Sequence, residues 1–166
     1  MRKIVFILFS FVFTFVFVAG VSAVSENAKG PVDKATGDIW MSLPNQHMIF
    51  NAHDVGNSEM DKGMVEYWNF EYNSGILHYS TPILCAAVDS EDNEARFMFR
   101  IPEGWPGLTG LYVVSNVTDT GSPGVNNDIY GHTATSDLNT ALSLCETGSS
   151  YSMYDIVSGN LVVHSY

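Results

Sequence analysis

Between Asn93 and Ile101 the chain alternates without a break. Ala95, Phe97, Phe99 and Ile101 fall on one side, Glu94, Arg96, Met98 and Arg100 on the other. A helix would scatter those apolar residues around its circumference; only a strand with one buried face lines them up. The pattern recurs in Gln46–His53, where Met48, Phe50 and Ala52 oppose His47, Asn51 and His53, with Ile49 out of phase. Gly63–Tyr72 and Gly75–Val88 are rich in aromatic and branched residues. They are separated by the hairpin signal Asn73-Ser74-Gly75, and Pro82 predicts a bulge or an edge in the second. Leu108–Thr118 and Asn160–His164 complete the set, and Trp40–Leu43 is a candidate first strand. Short β segments at this spacing predict an all-β, single-domain, antiparallel β-sandwich or small barrel.

One segment departs from period two. Leu138, Ala141, Leu142 and Cys145 keep helical spacing, with Ser136 as the N-cap and Gly148 as the stop, predicting a short helix near 136–146. Leu138, Thr140, Leu142 and Leu144 also fit a strand. The chain has two cysteines, Cys85 and Cys145. Outside the cytoplasm such a pair forms one disulfide, worth roughly 4 kcal/mol for so long a loop; the alternative is two buried thiols. A disulfide would pin the helix to the sheet.

Residues 1–23 explain why an oxidising compartment is expected. Arg2 and Lys3 precede an apolar run from Ile4 to Val18, broken by Ser10 and Thr14, and the segment closes on Val21-Ser22-Ala23. This is the pattern of a secretory signal peptide. The run is shorter than the roughly 20 residues a spanning helix needs. Residues 24–38, polar and small, read as a flexible lead-in, and 39–166 as the β domain. No later segment is a transmembrane helix candidate. The chain holds 18 acidic and 7 basic residues, a formal charge of −11, and the signal would remove two of the basic ones. With no basic patch to release counterions, nucleic acid is excluded as a partner.

Catalytic signatures are missing: no G-x-S-x-G, H-E-x-x-H, P-loop or dinucleotide fingerprint. Of the five histidines, His47 and His53 share a strand face but lie about 20 Å apart at roughly 3.3 Å per residue, too far to bind one ion. Glu66 and Glu71 fall on opposite faces, a poor pair for glycoside hydrolysis. The loop from Asp119 to Asp128 is the sharpest candidate site. Asp119, Asn126 and Asp128 offer the hard oxygens that calcium takes, although the same residue types also make plain turns. Tyr67, Trp68 and Phe70 form a candidate aromatic platform for a glycan or protein partner, the alternative being core packing. Asn116-Val117-Thr118 fits the glycosylation pattern but sits inside a predicted strand.

Three stretches together look familiar: Phe50-Asn51-Ala52-His53-Asp54; Asp119 to Asp128 with its D-x-G-x-P-G core; and Ser158-Gly159-Asn160-Leu161-Val162-Val163-His164. With them the chain, from about Asp38 onward, resembles small secreted bacterial all-β proteins of uncharacterised function, seen largely in environmental genomes. The resemblance implies a compact β-fold and export, and no activity or site residue. The expected function is therefore that of a secreted, periplasmic or cell-surface non-enzymatic module that binds an extracellular ligand or partner, with calcium as the one candidate cofactor. The alternatives are a small secreted hydrolase acting on polysaccharide and a lipocalin-like carrier of an apolar ligand.

Overall fold

A computed structural model describes residues 32–164, apart from 44, 57–60, 74, 90, 106, 122–126 and 149–150. The expected signal peptide (1–23), the lead-in as far as residue 31, and Asn126 lie outside the described residues.

Eight strands follow in chain order: β1 Asp33–Met41, β2 Gln46–Asp54, β3 Lys62–Tyr72, β4 Gly75–Asp89, β5 Glu94–Arg100, β6 Tyr112–Thr118, β7 Ile129–Thr135 and β8 Ser152–His164. Each pairs antiparallel with the next, and β8 pairs back onto β1, so the sheet closes into a barrel. Of the two expected architectures this is the barrel. Register shifts fall between Ile83 and Cys85 on β4, between Trp40 and Met41 on β1 and between Asn69 and Tyr72 on β3. Pro82 is the last β4 residue paired with β3; from Ile83 the strand pairs with β5. The proline thus stands at the handover, beside the bulge, where a missing N–H costs least.

The alternation sorts the side chains as expected. Phe97, Phe99, Met48, Phe50, Ile39 and Val65 fill the barrel. Met98, on the expected polar face of β5, is nonetheless fully buried. It lies under α1 (Leu138–Thr147) in a second cluster outside the barrel with Cys85, Val114, Ala141 and Cys145. Cys85 and Cys145 form the disulfide that fastens this helix. The N-cap is Asp137 rather than Ser136: its side chain accepts from the Thr140 amide at 2.7 Å, and Gly148 ends the helix. No basic residue occupies the last turn of α1. Arg96 of β5 supplies that charge instead, donating to the carbonyls of Cys145 at 2.9 Å and Glu146 at 3.3 Å while pairing with Glu94 at 2.9 Å.

Four parts of the expected strand pattern differ, the first being β6, which begins at Tyr112 rather than Leu108 because Leu108 to Leu111 are held in the turn that follows Trp105. Residues 33–38, assigned to the flexible lead-in, belong to β1, because Ala35, Gly37 and Ile39 alternate inward behind a polar outer row. The small size of Ala35 and Gly37 hides that alternation in the composition. Strand β8 starts at Ser152 rather than Asn160, and β7 has no counterpart among the expected strands; both are diluted by glycine, serine and threonine.

Candidate functional site

One end of the barrel holds a pocket. It is the end bearing the β1–β2, β3–β4 and β5–β6 connections, and inward side chains there leave a pocket of about 190 Å³. Met48, Leu77, Phe99 and Val113 give it apolar walls. Leu108 and Leu111 close over it from the β5–β6 connection, which is folded on itself by bonds from the Leu108 and Thr109 amides to the Trp105 carbonyl at 3.0 and 2.9 Å.

Polar groups converge on these walls. The Tyr67 hydroxyl donates to Gln46 Oε1 at 2.7 Å, and the Tyr67 ring lies 5.3 Å from that of Tyr79. Deeper in, the Tyr130 hydroxyl and Ser115 Oγ share a bond at 3.2 Å. His132 sits two residues along β7 from Tyr130, on the same inward face. Its ring stands between those of Tyr130 and Tyr154, at 5.6 and 5.5 Å. Its Nδ1 is buried and has no hydrogen-bond partner among the described residues. Burial lowers the His132 imidazole below its ordinary range and so favours the neutral ring. Burial also pushes Tyr67 up to about 12, and Tyr79 and Tyr130 upward as well. Near neutral pH this lining therefore offers uncharged donors and acceptors on an apolar surround.

The expected aromatic platform divides. Tyr67 points into the barrel, while Trp68 and Phe70 lie outside. There they join residues not grouped with them from the sequence. Trp40, His47, Trp68 and His78 occupy paired positions across β1 to β4. Their rings stack in a row at 4.5, 4.9 and 4.7 Å, and Phe70 adds to Trp40 at 5.7 Å. Asp38 holds His47 at 2.6 Å and Glu66 holds His78 at 2.9 Å. Inside the row the ring faces are spent on one another, so it presents mainly ring edges to solvent.

The calcium candidates lie at the opposite end of the barrel. Asp119 accepts the amides of Gly121 at 2.7 Å and Val163 at 3.1 Å, one with each oxygen. Asp128, buried, accepts the Thr120 amide at 2.9 Å and its hydroxyl at 3.0 Å. These carboxylates staple the β6–β7 loop to itself and to β8. Asp54 and Asp61 do the same for the β2–β3 loop, reaching the amides of Val88 at 3.0 Å and Ala86 at 2.7 Å. Among the described residues no group of three His, Cys, Asp or Glu side chains is placed to hold a metal ion. Asn116 of the glycosylation pattern is buried, its Nδ2 bonded to Glu94 at 2.8 Å.

Sequence reasoning counted His132 among five histidines and missed its partners. The available signal was Tyr130, His132 and Ala134 alternating through β7, which is enough to put them on one face but does not say which face is inside. Comparison with family models, with curated proteins and with solved structures finds no match to this chain.

Proposed function

We propose that this chain is an extracytoplasmic, non-enzymatic binding protein that holds a small, uncharged, ring-bearing molecule in the mouth of its barrel. The observation that supports this most is the mouth pocket itself, whose apolar walls of Met48, Leu77, Phe99 and Val113 include the hydrogen-bonded pair Tyr67 and Gln46 and the His132 ring. At about 190 Å³ the pocket is below the 300–1,000 Å³ of drug-sized sites, so the ligand is the size of a single ring with few substituents. Among the readings open from sequence this favours the carrier. The export signal, the disulfide and the resemblance to secreted proteins support the location.

The test is heteronuclear NMR of the purified protein titrated with 4-methylphenol and with indole. Saturable binding that moves the His132 ring resonances, and that a Leu108→Trp variant filling the mouth abolishes, is the expected result. If neither compound moves those resonances, or if Leu108→Trp binds as well as the wild type, the mouth is not the site.

A further inference from the structure

A second hollow lies outside the barrel, where the first turns of α1 overhang β4, β5 and β6. It is a groove of about 680 Å³, within the range of small-molecule sites. Pro82, Leu84 and Met98 form its floor, and Leu138 and Leu142 of α1 form a wall. Leu84 and Leu138 are 37% and 42% exposed, although each could be covered by one short alkyl chain. Ile101 is the one described residue that lines both this groove and the mouth pocket.

At the rim stands Arg100. Its guanidinium lies 5.9 Å over the Tyr112 ring, and its Nε donates to the Gly110 carbonyl at 3.3 Å. Among the described residues no carboxylate pairs with it, although Glu103 lines the same groove. The other described lysines and arginines are placed elsewhere. Lys34 and Lys62 begin β1 and β3 at the far end, and Arg96 is taken by Glu94 and the end of α1. In a chain of formal charge −11, a guanidinium without a carboxylate partner beside exposed leucines is the complement of an amphipathic anion.

We propose that this groove binds a small amphipathic carboxylate, of the class of medium-chain fatty acids. The alkyl chain would lie along Pro82, Leu84, Leu138 and Leu142, and the carboxylate against the terminal nitrogens of Arg100. A planar guanidinium meets a carboxylate with two parallel bonds, which an ammonium does not. The net negative field of the protein and Glu103 both oppose the anion. The apolar floor must therefore supply the larger share of affinity, and Arg100 the selectivity for a charged head group.

The experiment is isothermal titration of the purified protein with sodium decanoate and with decan-1-ol. The wild type should bind decanoate saturably at one site. Arg100→Gln should weaken decanoate about tenfold or more and leave decan-1-ol unchanged. Leu84→Glu, at a position 37% exposed, should abolish both while the melting midpoint, measured on the same sample, holds. Leu108→Trp should leave both unchanged, so a failure of the mouth-pocket reading is seen separately. No saturable decanoate binding up to millimolar concentration would overturn the proposal. So would an Arg100→Gln variant that binds decanoate like the wild type. Loss of binding in Leu108→Trp but not in Leu84→Glu would also overturn it, placing the alkyl chain in the barrel.

Discussion

The ring of Phe50 on β2 occupies the space that a side chain on Gly37 of β1 would need. The two residues are paired across the strands, and a β-carbon on Gly37 would lie 2.2 Å from Phe50 Cε1. Gly37→Ala should therefore destabilise the barrel by about 1–3 kcal/mol, as overpacking does. Phe50→Leu should recover part of that loss in the double variant, and a double-mutant cycle by chemical denaturation measures the coupling. Additive effects would mean that the two sites do not touch.

Helix α1 buries only Ala141 and Cys145 of its own residues, so its attachment depends on the bond to Cys85. Cys145→Ala should cost about 2–5 kcal/mol. Because the barrel strands pair independently of α1, the variant should keep its β-sheet circular dichroism while the amides of α1 lose hydrogen-exchange protection. Intact protection in α1 would show that packing alone holds it.

The pH dependence follows from groups that are buried neutral. His132 is held below its ordinary range by burial. Below about pH 6.5 the unfolded chain binds a proton there that the folded protein refuses, so this contribution to stability is full above that pH and falls as the pH drops through it. The acid-side slope of the melting midpoint should be smaller in His132→Phe than in the wild type. At the alkaline end, Tyr67 is pushed up to about 12, whereas an unfolded phenol ionises near 10. The folded state then holds the extra proton, and stability falls as the pH rises above about 10. Absorbance at 295 nm should show Tyr67 ionising later than the exposed tyrosines, or only with unfolding.

Asp119 uses both carboxylate oxygens on backbone amides. Asp119→Ala should cost about 1–3 kcal/mol by leaving those amides unpartnered. For the same reason, adding millimolar calcium after EDTA should leave the melting midpoint unchanged. A midpoint that climbs with calcium, and a climb lost in Asp128→Ala, would assign the ion to the β6–β7 loop after all.

Trp68 stacks on His47 and His78 at once. Trp68→Ala should lose both cross-strand contacts, about 1–3 kcal/mol in total. The loss should be measurable as a lower denaturation midpoint with no change in pocket binding.

How far the fold could be read depended on contrast between neighbouring residues. β5 is legible because Phe97 and Phe99 alternate with Arg96 and Arg100, and β2 because Met48 and Phe50 alternate with His47 and Asn51. β1 is not, because its inward residues include Ala35 and Gly37, which carry little hydrophobic signal. The space they leave belongs to Phe50, from another strand. Helix α1 is legible from the 3.6-residue period of Leu138, Ala141, Leu142 and Cys145, and the disulfide from the two cysteines together with the expectation of export. The candidate sites were less legible. Tyr67, Trp68 and Phe70 are adjacent in sequence, yet one lines the barrel and two lie outside it. Asp119 and Asp128 read from sequence as calcium ligands, whereas in the fold they accept backbone amides, one of them far along the chain on β8.

Strand character, the short helix, the cysteine pair and the acidic charge are local or compositional properties, and the sequence by itself determines them. Closure of the sheet is not local: it depends on β8 pairing with β1, at opposite ends of the described chain, and on a register that no single strand encodes. The mouth pocket and the Arg100 groove are likewise spaces between elements. His132 and Tyr67 come from strands far apart in sequence, and Leu84 and Leu138 from a strand and a helix likewise far apart. Only the tertiary structure could place them together, because a cavity is defined by side chains that pack around it without being neighbours in the chain.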